Sequence, residues 1–265
     1  MDILVCVKRV PMVGGTVVVT ADGQDVDTRM SGFTVSPHEE CAVEEAVQIT
    51  ERQGGTVTVL TLGPPEAAAQ LRDMLALGAH RGVLLETDGR EWGPTATAAA
   101  IVFAVGELAP TSFPLILAGN EAADTGGYQV GIRVAHALGR ACLTGIKRLE
   151  VSGESVRATR EYRGTEEQFE VALPAVVTVK EGINLPRYPS LPGRLRAKRA
   201  EITVLRPLWQ PDAVRKQGLR VPAGSARQAE ILGYGAAAVP ALVEVLSELG
   251  VLPSAAGSGG GGAAA

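Results

Sequence analysis

Short apolar runs alternate with helix-length segments through the first half of this 265-residue chain, and that alternation restricts the fold more than any other feature. Residues 3–7 (ILVCV) form a continuous apolar run, the pattern of a strand buried on both faces. TVTVLTL is then followed by PPEAAAQLRDMLALGA, RGVLLET by PTATAAAIVFAVGELA, and FPLILAG by YQVGIRVAHALG. Strands alternating with helices of this length make βαβ units, hence parallel strands with helices on both faces. Right-handed crossovers turn these into a doubly wound, mostly parallel α/β sheet of Rossmann-like type.

The first helix is marked at both ends. Ser36 with Glu39 three residues later reads as a capping box, Pro37 sits at the first helical position, and Gly54-Gly55 stops the helix. Ala42, Val43, Ala46, Val47 and Thr50 form its apolar stripe. Before it, Asp22-Gly23 between β-branched residues predicts a hairpin. After Gly139 the pattern changes, and residues 145–179 alternate with period two, with turns at Ser152-Gly153 and Arg163-Gly164, which predicts an antiparallel meander. Its last run, residues 175–179, is apolar enough to re-enter the core. ITVLRP reads as an edge strand, and SARQAEILGY and VPALVEVLSELGVL as helices, the second with a stripe of Leu242, Val245 and Leu249. The organisation expected is residues 1–180 as the α/β domain with its antiparallel extension, 181–252 as a C-terminal arm with helices, and 253–265 as a disordered low-complexity tail.

Composition sets limits on the chemistry. Aromatics are 4% of residues, so a pocket here leans on aliphatic side chains and backbone. Net charge is −4, which gives no sign of nucleic acid as a partner. Of 25 Lys/Arg and 29 Asp/Glu, residues 180–222 hold 10 and 3, leaving 15 against 26 elsewhere, an asymmetry that suits an electrostatic contact surface. Cys6, Cys41 and Cys142 are scattered, which argues against a disulfide framework or a zinc or iron–sulfur centre; Cys6 and Cys142 read as small packed hydrophobes. MDILVCVKRV is charged too soon for a signal peptide and no run suits a membrane helix, so the expected setting is cytoplasmic, without membrane insertion.

Catalytic signatures are missing: no G-x-S-x-G, no P-loop, no G-x-G-x-x-G after the first strand, and no metal spacing around His38, His80 or His136. His136 reads as a packing or surface residue. The loop AGNEAADTGGYQVG, between a strand and a helix beginning near Tyr128 or Gln129, stands out instead. Ligands in a doubly wound sheet lie beyond the carboxyl ends of strands, where glycine backbone and a helix N-terminus suit an anion. Thr125, Gly126 and Gly127 either cradle a phosphate or only turn the chain. CVKRVPMVGG, VSPHEE and TLGPPE share the same sheet edge, with Ser36 either a site residue or only a cap. No nucleophile or carboxylate pair joins them, so the pocket reads as binding without catalysis.

One stretch remains, EGINLPRYPSLPGRLRAKRAEI, a basic, proline-rich arm directly after a buried strand. Together with ILVCVKRVP, ECAVEEAVQI, VTVLTLGPPEAAAQLRDMLALGAHRGVLL, LILAGNEAADTGGYQVG and LPAVVTVK, it resembles the beta subunit family of electron-transfer flavoproteins over roughly residues 1–206. The resemblance implies a redox carrier subunit rather than an enzyme, paired with a homologous alpha subunit that carries most contacts to an FAD at the interface. It implies AMP in the beta subunit, or a second FAD in electron-bifurcating members. It also implies partner dehydrogenases, acyl-CoA or other flavin dehydrogenases among them, and an acceptor oxidoreductase.

Carried over, the nucleotide contacts fall on Cys6, Ser36, Pro37, His38, Glu39, Leu62, Asp124, Thr125, Gly126, Gly127, Tyr128, Gln129, Val130 and Gly131. The docking contacts fall on Leu191, as the anchoring leucine, with Arg194, Arg196 and Lys198 beside it. The chain departs from the family at Met12, where an aspartate is common, at Ser36-Pro37 in place of Asn-Pro, and in DTGGYQVGI, which lacks the second acid and the final proline of the family loop. AMP, FAD and an empty site all stay open on these residues. A free-standing ATP- or AMP-binding protein of the same superfamily is the other reading, but it has no need of the arm.

Overall fold

The computed structural model describes residues 1–12, 17–109, 112–212, 214–222 and 230–252. It divides into two compact units, residues 1–221 and 222–265. The first is built on a seven-stranded sheet of order β12-β5-β4-β1-β6-β11-β7, parallel at every pairing. Its strands are β1 (Ile3–Cys6), β4 (Val57–Gly63), β5 (Arg81–Glu86), β6 (Leu115–Gly119), β7 (Ala141–Ile146), β11 (Ala175–Val179) and β12 (Ile202–Leu205). The short β2 (Arg9–Pro11) and β3 (Phe33–Val35) pair antiparallel beside it. β8 (Arg148–Ser152), β9 (Ser155–Tyr162) and β10 (Thr165–Ala172) form the antiparallel extension.

Alternate residues of each strand feed different cores, as a period of two requires. Ile3, Val5, Val57, Val59, Leu115 and Leu117 face α1 (Pro37–Gln53) and α2 (Ala68–Leu77). Leu4, Leu60, Val83, Leu85 and Ile116 face α3 (Pro94–Glu107) and α4 (Val130–Ala137). The doubly wound, mostly parallel fold expected from the alternation is therefore present. Among the described residues, no helix is long and apolar enough to cross a membrane.

The helix boundaries have local causes. Gly54 and Gly55 end α1 with φ of 79° and 116°, and a Cβ on Gly55 would stand 2.0 Å from the Met1 carbonyl oxygen. Only glycine permits this close approach of β1 to the end of α1. The N-terminus of α3 is satisfied from far along the chain, where the Asp212 carboxylate accepts from the Thr95 and Ala96 amides at 2.6 and 3.1 Å. α4 starts at Val130, later than the sequence pattern suggests, because Tyr128 has φ +55° and cannot belong to a right-handed helix.

Several expectations are corrected. The alternating segment 145–179 folds as expected, with β8, β9 and β10 antiparallel and β11 re-entering the core, but the strand just before it, β7, was not expected and joins the parallel sheet as an edge beside β11. Cys142 lies on that edge and is exposed rather than packed. The Asp22-Gly23 turn carries one antiparallel bridge, between Val19 and Val26. The arm contains a helix that the sequence pattern did not show. Ser190 caps α5 (Leu191–Arg199) by accepting from the Gly193 amide at 3.1 Å, with Pro192 in the first turn. In the second unit, α6 (Val239–Glu248) is helical as expected, but Leu242 and Leu249 of its stripe are exposed. The expected helix SARQAEILGY lies partly outside the described residues, and residues 230–234 are not helical. The expected tail 253–265 lies wholly outside them.

Candidate functional site

The chain leaves β1 towards β4 and β5, then crosses back to place β6 on the other side of β1. The switch point of the sheet is thus the gap beyond the carboxyl ends of β1 and β6, the position where open α/β sheets take ligands. Sheet bonding at β1 ends with the Val7 amide on the Leu60 carbonyl at 2.9 Å. The next amide, Lys8, donates instead to Glu39 Oε2 at 2.9 Å. Glu39, in the first turn of α1, thereby receives the β1 end side-on.

This overturns half of the capping-box reading. Ser36 is at the N-cap, yet its hydroxyl does not cap the helix; Ser36 Oγ accepts from the Ala123 amide at 3.0 Å, tying α1 to the loop after β6. Glu39 is buried, and burial pushes its carboxyl up to about 8 despite hydrogen bonds from the Lys8 and Ser36 backbone and the Lys8 charge; Asp124 adds to the rise. Burial and the Glu39 charge likewise raise the Cys6 thiol to about 12, so Cys6 is an inert thiol here. β6 must pass close beneath this turn. A Cβ on Gly119 would come within 2.7 Å of Glu39 Cγ and 3.1 Å of His38 Cβ. Nδ1 of His38 is buried without a hydrogen-bond partner.

The loop between β6 and α4 is fastened over the gap. Lys8 Nζ lies 2.7 Å from both Asp124 carboxylate oxygens and 3.4 Å from Thr125 Oγ1. Asn120 Oδ1 accepts from Thr178 Oγ1 at 2.9 Å, and the Asn120 amide donates to the Val179 carbonyl. Gly126 has φ +54°, and a Cβ on Gly127 would meet nothing within 4 Å. Tyr128 also holds a left-handed backbone, and the neighbouring Glu121 carboxylate raises the pKa of its phenol. Non-glycine residues in that region mark local strain, of order 1 kcal/mol or more. Gln129 Oε1 accepts from the Arg133 guanidinium. Gly131 lets α4 close on β11, since a Cβ there would stand 2.5 Å from Thr178 Cγ2. Cys6, Leu62 and Val130 pack against the same core, the α3/α4 face, and give the gap an apolar side. Among the described residues, no group of three or more His, Cys, Asp or Glu is placed to hold a metal.

Residues 26–207 match the family model described as the electron transfer flavoprotein domain. The chain is 38% identical over 173 residues to the electron transfer flavoprotein subunit beta of Bacillus subtilis (strain 168), which covers 65% of this chain and 67% of the relative. It is 35% identical over 210 residues to the subunit of the same name from Mycobacterium bovis, covering 77% and 78%. The chain belongs to the electron transfer flavoprotein beta subunit family.

For this beta-subunit family member, the fold gathers the site residues read from sequence into two groups. Cys6, Ser36, His38, Glu39 and Leu62, together with Asp124, Thr125, Gly126 and Gly127, meet at the switch-point edge; Pro37 is exposed on the outer side of the α1 turn. Leu191, Arg194, Arg196 and Lys198 lie apart, on α5. Leu191 is 70% exposed, and Leu185, Tyr188 and Leu195 beside it are exposed too. Arg196 is partly committed to its own chain, with Nη2 donating to the Leu75 carbonyl at the end of α2 at 3.0 Å. Sequence reasoning named the loops that carry Lys8 and Asn120 without singling out these side chains, and it missed Thr178. A lysine immediately after a buried strand was the available signal for Lys8. Two cavities, of about 470 and 570 Å³, lie elsewhere: one at the amino ends of β4, β5 and β12 around His80 and Phe113, the other between α1, α2 and the arm. Neither collects the polar groups of the switch point, so neither displaces it as the candidate site.

Proposed function

We propose that this chain works as the beta subunit of a heterodimeric electron-transfer flavoprotein, which passes electrons from dehydrogenases to an acceptor oxidoreductase. In this reading it completes, with an alpha subunit, the site of an interfacial FAD, and it holds a structural AMP at the switch point. FAD supplies the redox chemistry; the chain supplies binding, orientation and a docking surface. The observation that carries the nucleotide part is the convergence of the β1 end, the α1 first turn and the Thr125–Gly127 segment at one edge of the sheet. The open space at Gly127 and the left-handed backbone at Gly126 suit a phosphate approaching main-chain amides. The Cys6, Leu62 and Val130 side suits an adenine face. The expected result for Gly126→Val is loss of most of the nucleotide that co-purifies with the full chain, because a β-branched residue is strained at φ +54° and stands in the way of the amides. Unchanged nucleotide content, read by chromatography after denaturation, would mean that this loop only turns the chain.

The arm supports the partner half of the reading. α5 is fixed by its cap and by close packing on α2, where a Cβ on Gly193 would meet the Ala76 carbonyl oxygen at 2.7 Å. Leu191 opens that helix and faces solvent. A rigidly held, exposed leucine beside cations suits a pocket with an acidic rim. Leu191→Ala is expected to weaken dehydrogenase coupling about thirtyfold, a loss of about 2 kcal/mol, with the melting temperature unchanged. A lower melting temperature with normal partner kinetics would show that Leu191 serves this chain's own packing.

A further inference from the structure

The Lys8 ammonium is the cation that faces the glycine loop, and a carboxylate already holds it. Lys8 Nζ sits 2.7 Å from both Asp124 oxygens and 3.4 Å from Thr125 Oγ1, directly before Gly126 and Gly127. Its main chain cannot wander, because the Val7 and Lys8 amides are bonded to the Leu60 carbonyl and to Glu39. The ammonium can therefore move only by swinging its own side chain. The neighbouring cations are engaged elsewhere: Arg9 lies over the Phe33 ring, 3.2 Å from its centroid, and Arg133 is bonded to Gln129. The same rim carries Glu121 as well as Asp124, so an incoming phosphate meets negative charge unless a cation is released to it.

We propose that Lys8 is the phosphate-binding cation of this edge, and that Asp124 is an internal competitor which a nucleoside phosphate must displace from it. The proposal rests on the nucleotide reading given above. The Lys8–Asp124 pair is open to water, with side chains 40% and 24% exposed, and pairs of that kind are weak enough to exchange. A phosphate offers more acceptor oxygens and more charge than the carboxylate it replaces. Affinity for the phosphate ligand is then reduced by the fraction of molecules in which Asp124 holds Lys8. A nucleoside without phosphate makes no demand on Lys8 and feels no such competition.

The test titrates the full chain, freed of co-purified nucleotide, with AMP and with adenosine. Asp124→Asn is expected to tighten AMP binding about fivefold and leave adenosine unchanged, since it removes the competitor and keeps the shape. Lys8→Met is expected to weaken AMP about tenfold or more, again without effect on adenosine, and to cancel the gain when combined with Asp124→Asn. The wild-type preference for AMP over adenosine should shrink as salt is raised. Asp124→Asn that binds AMP equally or less well, with an unaltered melting temperature, overturns the proposal. Equal binding of AMP and adenosine by all variants also overturns it while leaving the nucleotide reading in place. No binding of either ligand by any variant removes both.

Discussion

Glu39→Gln is expected to leave stability at pH 5 nearly unchanged and to raise it at pH 9 by on the order of 3 kcal/mol. The Glu39 carboxyl is buried beneath Lys8 and against Gly119, and its proton is held up to about 8, against an ordinary 4.5. A folded-state value above the unfolded one means that the native chain binds the proton more tightly. Its contribution is complete below 4.5 and is lost as pH rises through about 8, where the native state must carry a buried charge. Glutamine keeps the acceptor for the Lys8 amide and never ionises. Urea unfolding of both proteins at pH 5, 7 and 9 reads the effect. Parallel stability curves across that range would show that Glu39 is ionised throughout, with its charge fully compensated.

The second large effect concerns what fastens the arm. Arg187 donates through Nε and Nη2 to Glu44, through its backbone amide to the same carboxylate, and through Nη1 and Nη2 to Glu51. Glu44 is buried on α1, with its side chain 4% exposed. Burial by itself would raise its pKa, but the bonds from Arg187 and Gln48 outweigh that and hold it below the ordinary value. Arg187→Ala strands this carboxylate. Breaking a buried pair costs about 3–5 kcal/mol, and solvent access to the partly exposed arginine lowers the expected loss here to about 2 kcal/mol. Chymotryptic cleavage at the exposed Tyr188 should speed up at the same time, because the segment before α5 loses its anchor. The double variant Glu44→Gln, Arg187→Met should recover most of the stability. Because the folded value of Glu44 is depressed, the contribution of the pair is present above about 4.5 and is lost as pH falls through the folded value. If Arg187→Ala unfolds like wild type at neutral pH, the arm is held by α5 packing alone.

These two carboxylates also show where sequence reading stops. The apolar stripe of α1 is legible because its period repeats within the helix, and Ala42, Val43, Ala46 and Val47 are all buried. Glu44 and Glu45 are buried as well, but their partners Arg187 and Asn184 come from residues about 140 positions away, and no local pattern encodes such a contact. Ser36 fails the same way. Its spacing to Glu39 matches a capping box, yet its hydroxyl is taken by an amide 87 residues later.

The central strands are legible as continuous apolar runs because both faces are covered. β7 is an edge strand with few buried positions and a register shift against β11, so its apolar signal is faint. α5 escapes periodicity because it buries only Gly193 and Ala197, small residues that allow close packing on α2. Ser190 with Pro192 was its one visible mark.

If this chain contributes half of a flavin site and holds a nucleotide of its own, its cofactor content will report both. The full chain is purified alone and co-expressed with an electron-transfer flavoprotein alpha subunit, and the nucleotides released on denaturation are counted per chain. A yellow one-to-one complex carrying FAD and AMP is expected, and a lone chain with AMP and almost no flavin. Stoichiometric FAD on the lone chain, or a chain that never joins an alpha subunit, would rule out the shared-flavin reading.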